Sequence, residues 1–342
     1  MPGTLLLRPD ASAQVGLGHA SRCLAIAEAW TGLGGHALVL TGPDAAGLAP
    51  RARAAGVELR TDAPAAAASD LRAVTELAGT LRPDWLLLDG AFDAPFVQAA
   101  RAAVPRVARF AESGRYDPAS LGLVDAVINP NADAADDDCI TLPPSAVRCL
   151  GVRYAPLRPE ARALRGDGLE PAVHGTLLAF GGSDPDGASE LVVAQLGRWG
   201  GLAPVTLVVG PANARRATLQ AAATDRLRVL VAPEHPYRWW NAGAVALVAA
   251  GVTMLELLCV GMPCLVYARH AAQRREVEAL VAAGAVAGVV DRGELASGAA
   301  LERLDALLSD GAARARLGRR ARELVDGLGA ERVARRLAGE AA

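Results

Sequence analysis

The sequence of 342 residues contains no lysine, so all of its basic side chains are arginine or histidine. A Schiff-base enzyme needs a lysine amine, and a Walker-type phosphate loop needs a lysine beside its glycines. Both classes of protein are therefore excluded. The formal net charge is −2, with acidic and basic residues interspersed. This balance argues against nucleic acid or an anionic membrane surface as the main partner.

Cysteine and long apolar segments are also scarce. The five cysteines show no CxxC or Cys/His ligand spacing, so we predict neither a disulfide framework nor a metal site. No apolar run reaches the length of about 18 residues that a membrane helix needs, and no basic and apolar leader precedes the first apolar run. We therefore expect a cytoplasmic protein without membrane insertion.

Short apolar runs that alternate with helical patterns are abundant in the first half of the chain. Such alternation is typical of parallel strands connected by crossover helices. Strands are predicted at 4–7, 36–40, 56–59, 84–89, 106–110 and 125–129, and helices at 44–55, 69–82 and 93–104.

The same alternation restarts near residue 176. Here strands are predicted at 176–180, 205–209, 227–231, 245–248, 263–267 and 286–290, with helices after about residue 300. We therefore predict two Rossmann-like α/β domains, 1–156 and 172–327, joined by an irregular linker. A last helix within 328–342 is predicted to return to the first domain. Neither first strand is followed by a GxGxxG fingerprint, so no dinucleotide cofactor is expected. Ligands are expected in the cleft between the carboxyl ends of the two sheets.

The first candidate site is the run Gly16-Leu17-Gly18-His19, between the strand at 4–7 and a helical pattern over 20–30. A glycine-containing turn between a strand and a helix presents backbone N–H groups to an anion. The glycines allow a tight turn, and a histidine there is suited to proton transfer near neutral pH. A surface histidine that follows a tight turn is the alternative.

The second half contains two further signals. The turn Gly181-Gly182-Ser183-Asp184 follows a strand and suits a phosphate. In Gly251-Val252-Thr253, the threonine is predicted to cap a helix and to offer its hydroxyl and N–H to a phosphate, while Glu256 accepts the two hydroxyls of a ribose. A capped helix with an early acid, as in a capping box, explains the same residues. Gln273, with His270, follows the next strand and is a candidate sugar or pyrophosphate contact.

Together these residues resemble one family: the UDP-2,4-diacetamido-2,4,6-trideoxy-β-L-altropyranose hydrolases of pseudaminic acid biosynthesis. This family includes spore-coat polysaccharide proteins and is similar to the MurG-type GT-B glycosyltransferases. The resemblance rests on Arg8-x-Asp10, Gln14-x-Gly16-x-Gly18-His19 with Arg22, Asn129-x-Asn131, Gly151-x-x-Tyr154-x-x-Leu157-Arg158-Pro159-Glu160, Phe180-Gly181-Gly182-Ser183-Asp184-Pro185 and Gly251-x-Thr253-x-x-Glu256.

The resemblance implies a GT-B fold with UDP in the C-terminal lobe and water attack on the anomeric carbon, without metal or cofactor. His19 is the implied catalytic residue. The implied nucleotide contacts are Gly182, Ser183, Asp184, Gly251, Val252, Thr253 and Glu256. The sugar and phosphate contacts are Arg8, Asp10, Gly16, Gly18, Arg22 and Gln273. For Arg8 and Asp10, an ordinary buried ion pair is the alternative.

Three departures from the family pattern surround the implied sugar pocket. The family has Asp-His-Tyr where this chain has Asp89-Gly90-Ala91, Asp-Asp where it has Glu112-Ser113, and Asn-Gln where it has Ala272-Gln273. These departures indicate an altered sugar or a changed reaction on a retained nucleotide site. A glycosyltransferase in which His19 activates an acceptor hydroxyl is therefore an alternative, and a non-catalytic nucleotide-sugar-binding protein is another.

Overall fold

In a computed structural model of the chain, two parallel α/β sheets are present. The structure describes residues 1–11, 17–65, 67–111, 118–134, 142–165, 175–197, 204–241 and 244–340. It divides the chain into unit 1, which comprises 1–157 with 328–342, and unit 2, which comprises 158–327. Gln14, Gly16, Glu112, Ser113 and Cys139 lie outside the described residues.

Unit 1 contains a seven-stranded parallel sheet in the order β3-β2-β1-β4-β5-β6-β7. The central strands are buried along almost their whole length, because helices cover both faces of a parallel sheet. The strands are β1 (Thr4–Pro9), β2 (His36–Leu40), β3 (Glu58–Arg60), β4 (Trp85–Asp89), β5 (Val107–Phe110), β6 (Ala126–Asn129) and β7 (Val147–Leu150).

The helices of unit 1 include the last helix of the chain. Helix α14 packs on α1, with Val333 and Leu24 in one buried cluster, and the Trp85 indole donates to the carbonyl oxygen of Leu337 at 2.9 Å. The helices are α1 (Gly18–Gly32), α2 (Ala49–Ala54), α3 (Ala67–Leu81), α4 (Ala94–Ala103), α5 (Pro118–Leu121) and α14 (Gly329–Leu337), with short 3-10 helices at Pro43–Leu48 and Val152–Tyr154.

Unit 2 contains a six-stranded parallel sheet in the order β10-β9-β8-β11-β12-β13. In both units, the first strand of the unit lies beside its second and its fourth, which is the doubly wound order whose ligands bind at the carboxyl ends of the strands. The strands are β8 (Thr176–Ala179), β9 (Val205–Val209), β10 (Leu227–Val231), β11 (Val245–Ala249), β12 (Cys264–Tyr267) and β13 (Gly288–Val290).

The helices of unit 2 follow the strands, and the last three described in the unit form a helical end. They are α6 (Pro159–Ala163), α7 (Ala188–Leu196), α8 (Arg216–Ala221), α9 (Val252–Val260), α10 (Ala271–Ala282), α11 (Arg292–Ser297), α12 (Ala299–Ser309) and α13 (Gly311–Leu324), with a 3-10 helix at Pro236–Trp239. Within the described ranges, no helix is both long and apolar enough to cross a membrane.

Three details differ from the sequence prediction. Strand β7 was not predicted, because it is short and only one of its four residues is buried. The first helix begins at Gly18, so His19 lies inside its first turn rather than in the preceding loop. The segment predicted as an irregular linker contains α6, which packs against α9 in unit 2.

Candidate functional site

The candidate site of unit 1 lies where β1 and β4, which are parallel neighbours, both end. The sheet register pairs Pro9 with Asp89, so helix α1 begins close to the end of β4. His19 is in the first turn of α1. Its side chain is 15% exposed, and its Nδ1 atom lies 3.8 Å from Oδ1 of Asp89. This distance exceeds a hydrogen bond, and Nδ1 has no hydrogen-bond partner among the described residues.

Asp89 also binds Arg22, which lies one helical turn after His19 on the same face of α1. The Arg22 guanidinium donates two hydrogen bonds to the carboxylate, with distances of 2.7 Å from Nε and 2.6 Å from Nη2. It also stacks 4.0 Å from the ring centre of Phe110. The Cys23 thiol lies 3.6 Å from the same carboxylate. Because its oxygens face a guanidinium and an imidazole, the carboxylate is held in one orientation.

The charge of this cluster is set by opposing effects on Asp89. Burial alone raises the pKa of the Asp89 carboxyl, but the charge of Arg22, the neighbouring His19 imidazole and the hydrogen bonds from Arg22 and Cys23 outweigh it, so the pKa lies below its usual value. Burial and the neighbouring Asp89 charge raise the pKa of the Cys23 thiol well above its usual value. At neutral pH the site therefore contains a carboxylate and a thiol that is not ionised.

Arg8 is part of a separate buried ion pair. Its guanidinium donates to the two oxygens of Asp70 on α3 at 2.7 and 2.9 Å, and it also contacts the carbonyl oxygen of Pro9. Arg8 is 6% exposed. It forms a buried ion pair, but the partner is Asp70 and not Asp10, with which the alternative had grouped it. The backbone N–H of Asp10 donates to the carbonyl oxygen of Asp89 at 2.8 Å. Asp10 therefore lies beside the Asp89 cluster.

The candidate site of unit 2 is formed by two glycine turns at the carboxyl ends of β8 and β11. Gly181 and Gly251 have φ angles of +84° and +143°, which glycine tolerates best. A methyl group added at Gly181, Gly182 or Gly251 would meet no atom of the described residues within 4 Å. At Gly210, by contrast, it would lie 2.3 Å from the carbonyl oxygen of Gly182. The backbone of the two turns is thus accessible to a ligand.

Helix α9 begins immediately after the Gly251 turn. Gly251 occupies the cap position without a side-chain hydrogen bond, so the predicted capping by Thr253 is wrong. Val252 and Thr253 are the first two helical residues, and their N–H groups belong to the unpaired first turn of the helix. The helix has nine residues and no acid in this turn. Its amino end is consequently suited to a negatively charged ligand.

Glu256 lies one turn into α9 and is buried, with 2% of its surface exposed. Nε of Arg158 donates to Oε1 at 2.7 Å, and Nε1 of Trp240 donates to Oε2 at 2.9 Å. Glu256 is the fifth residue of α9, and a capping box uses the third, so the capping-box interpretation of this glutamate is wrong. Each carboxylate oxygen has a second lone pair, so contact with a ribose stays a prediction.

The turn after β8 contains Ser183 and the buried Asp184. The Asp184 carboxylate accepts the backbone N–H groups of Ala188 and Ser189, each at 2.9 Å, and the residue is 4% exposed. It therefore caps helix α7 and positions the turn, and the nucleotide contact predicted for Asp184 stays a prediction. Ser183 is half-buried beside Gly182.

Gln273 joins the turn after β11 to the turn after β12. Its Nε2 atom donates to the carbonyl oxygen of Ala250 at 3.1 Å, and its Oε1 atom accepts the N–H of Arg269 at 3.0 Å. The side chain of His270 caps α10 by accepting the N–H of Gln273. Gln273 thus contacts the residue before Gly251, and its contact with the sugar stays a prediction.

The sequence interpretation missed Asp89 and Asp70, which hold Arg22 and Arg8. One signal was present for Asp89, since an acid that ends a strand beside β1 must lie near the first turn of α1. Among the described residues, no three His, Cys, Asp or Glu side chains come together as they would around a metal ion.

The chain is similar to known proteins in its fold but not in its sequence. No family model and no curated protein matches the sequence. MurG of Acinetobacter baumannii superposes over 98% of this chain and 99% of its own, with 15% identity and a TM-score of 0.61. The calicheamicin glycosyltransferase CalG4 superposes over 99% and 98%, with 14% identity and a TM-score of 0.64. Staphylococcus aureus MnaA in complex with UDP covers 98% and 96%, with 13% identity and a TM-score of 0.68. The fold is therefore of the GT-B type.

Proposed function

We propose that the protein is a nucleotide-sugar hydrolase that cleaves the anomeric C–O bond of a UDP-activated amino or deoxy sugar. The observation that carries the proposal is the His19 imidazole facing the buried Asp89 carboxylate at the end of β4. Unit 2 supports it with two accessible glycine turns and an acid-free helix end, because these groups suit a diphosphate. The solved structure of MnaA with UDP, which has a similar fold, is consistent with a nucleotide ligand.

In the proposed reaction, a water oxygen bonds to the anomeric carbon while the bond from that carbon to the phosphate oxygen breaks. The electron pair of the broken bond leaves with UDP, and the water proton moves to His19. Because Nδ1 of His19 faces Asp89, Nε2 is the atom that accepts this proton. The Asp89 carboxylate stabilises the imidazolium that forms, as a buried carboxylate does beside a catalytic histidine.

The leaving diphosphate is stabilised by backbone groups of unit 2 in this proposal. The N–H groups at Gly182–Ser183 and at the start of α9 are fixed before the reaction, so they gain strength as negative charge develops on the leaving oxygen. The Thr253 hydroxyl adds one further donor. Glu256 is proposed to contact the ribose from its position one turn into the helix.

The test is to incubate the purified full-length protein with UDP-sugars, without any acceptor, in water labelled with heavy oxygen. The proposal predicts release of UDP and a label on the anomeric hydroxyl of the free sugar. A label on UDP would show cleavage of the P–O bond and would contradict the mechanism. UDP release only after addition of an acceptor alcohol would identify a glycosyltransferase, which CalG4 makes the second candidate because its fold is similar.

A third outcome is binding of UDP without turnover of any sugar. It would identify a non-catalytic nucleotide-sugar-binding protein, the remaining alternative. The pathway assignment, pseudaminic acid biosynthesis, belongs to the same proposal and is tested by the sugar that is hydrolysed fastest. Ala91 and Ala272, which stand where the resembled family has Tyr and Asn, favour a different sugar on the same scaffold.

A further inference from the structure

A cavity of unit 2 with a volume of about 740 Å³ lies at the carboxyl ends of β12 and β13. Pro185 and Asp186, which continue the turn after β8, line one side, and Ala271, the first residue of α10, lines another. Gln273 ties this region to Ala250, the residue before Gly251. The cavity therefore adjoins both glycine turns of the proposed diphosphate site.

The lining of the cavity is rich in arginine. Four arginines (Arg215, Arg269, Arg274 and Arg292) and two aspartates (Asp186 and Asp291) line the cavity. Glu190 and Glu278, which lie near Arg215 and Arg274, are outside the lining. The amino end of α10, a helix of 12 residues without an acid in its first turn, adds partial positive charge.

Two of these arginines are occupied in close ion pairs. Nε of Arg215 lies 2.7 Å from Glu190, and Nε of Arg269 lies 3.0 Å from Asp186. The Tyr267 hydroxyl donates to the same Asp186 oxygen at 3.0 Å. These contacts hold the wall of the cavity in place and neutralise the charge of both arginines locally.

The other two arginines are bound less closely to carboxylates. Arg274 lies 3.8 Å from Glu278 and 3.8 Å from Asp291, beyond hydrogen-bond distance. Arg292 contacts the carbonyl oxygen of Asp186, which has no formal charge. Their charges are thus available to a ligand inside the cavity, and a guanidinium binds a carboxylate with two parallel hydrogen bonds.

We propose that the cavity receives the carboxylate of an acidic sugar, so that the amino or deoxy sugar of the proposed function carries a carboxyl group and the substrate class is a nucleoside-diphosphate uronic acid bound through Arg274 and Arg292. This inference rests on the proposed function, because it takes the diphosphate to lie at the glycine turns. A sugar attached to that diphosphate would extend into the adjoining cavity. Ala272, beside the lining residue Ala271, supplies no polar group for a neutral sugar.

The test compares matched pairs of ligands by calorimetry with the full-length protein. UDP-glucuronate should bind about tenfold or more tightly than UDP-glucose, or UDP-galacturonate than UDP-galactose, because hydrogen bonds between charged groups are stronger than those between neutral groups. Arg274→Gln and Arg292→Gln should each reduce this preference, and the double variant should abolish it. Free UDP, which has no sugar, should bind all of these variants as it binds the wild type.

Control variants separate the possible outcomes. Arg319→Gln removes an exposed arginine of α13 outside the cavity and should leave the preference unchanged, and Arg274→Lys, which retains the charge, should keep part of it. Equal affinities for acidic and neutral sugars would overturn the inference while leaving the proposed function intact. So would an equal loss of UDP affinity in the variants, because the cavity would then hold the diphosphate. Failure of the wild type to bind any UDP compound would refute the proposed function itself.

Discussion

The two units place different groups at the carboxyl ends of sheets with the same strand order. In unit 1, charged side chains bind each other in the interior, as Arg8 binds Asp70 and Arg22 binds Asp89. In unit 2, the corresponding edge presents backbone at Gly182 and Gly251, next to a cavity lined by arginine. A fold does not determine a function. Here, the fixed side chains of unit 1 suit proton transfer, and the accessible backbone of unit 2 suits binding.

Removal of the His19 imidazole should have the largest effect and tests the difference between the two units most directly. His19→Asn should lower kcat by about 10² to 10⁴, the usual contribution of a general base, because the attacking water would lose its proton acceptor. The affinity for UDP should stay unchanged, because the nucleotide is assigned to unit 2. Steady-state hydrolysis and calorimetry measure the two quantities. His36→Asn, which changes an exposed histidine of the same sheet, is the matched control. A His19→Asn variant with near-normal kcat would remove His19 from the mechanism.

The next largest effect is expected from the carboxylate that faces His19. Asp89→Ala removes the buried carboxylate that pairs with the Arg22 guanidinium, so the free energy of unfolding should fall by about 3–5 kcal/mol. Urea denaturation of the purified variant measures this loss.

The control for Asp89→Ala is an exposed ion pair in the same unit. Arg60 and Asp62 lie 3.0 Å apart with side chains that are 43% and 64% exposed. Asp62→Ala should cost less than about 1 kcal/mol, because solvent screens such a pair. Equal losses of unfolding free energy in the two variants would mean that the buried Arg22–Asp89 pair stabilises the protein no more than the exposed Arg60–Asp62 pair does.

A substitution in a glycine turn of unit 2 should have a smaller effect, which falls on UDP affinity and not on the stability of the fold. Gly182→Ala adds a methyl group where no described atom lies within 4 Å, so stability should change little. UDP affinity should fall about tenfold, equivalent to roughly 1.4 kcal/mol, because the methyl group occupies the ligand's space.

Gly210→Ala is the counterpart of this substitution. Its methyl group would lie 2.3 Å from the carbonyl oxygen of Gly182, so the turn must shift. Both stability and UDP affinity should decrease, with a loss of about 1–3 kcal/mol of stability from overpacking. If Gly182→Ala bound UDP as well as the wild type, the nucleotide would not lie against this turn. Thermal unfolding and calorimetry with UDP give the two quantities for each variant.

The sequence predicted the strands of both sheets well, because a strand covered on both faces is a continuous apolar run. The run Trp85–Leu88 shows this, with all of its residues buried in β4. Strand β7 escaped prediction because Arg148 interrupts it and most of its residues are only partly buried. Local composition therefore missed this one edge strand, whereas the edge strands β3, β10 and β13 were predicted.

The candidate site was predicted less completely, since its side-chain pairs join distant parts of the chain. Arg22 and Asp89 are 67 residues apart, and Arg158 and Glu256 are 98 apart. Spacing within one helix correctly placed Glu256 one turn into α9. It contained no information about which guanidinium would bind that carboxylate, because such partners are determined by tertiary packing.

The smallest predicted effect concerns the pH dependence of Asp186, at the wall of the arginine cavity. Burial alone raises the pKa of its carboxyl, but the hydrogen bonds from Arg269 and Tyr267 and the charge of Arg269 lower it by more. The folded pKa therefore lies below the unfolded one, so the ionised group stabilises the fold above the unfolded pKa of about 3.9. This stabilisation is lost as the pH falls through the folded pKa. Asp186→Asn should consequently have a lower Tm than the wild type at pH 6, and the difference should shrink in acid.

Asp225→Asn, in an exposed turn, controls for the removal of one charge. A difference in Tm that is constant from pH 6 to the acid limit would show that Asp186 acts through packing rather than through charge. The ion pair of Asp186 with Arg269 in unit 2 would then differ from the buried ion pairs of unit 1, which are expected to stabilise the fold through their charges.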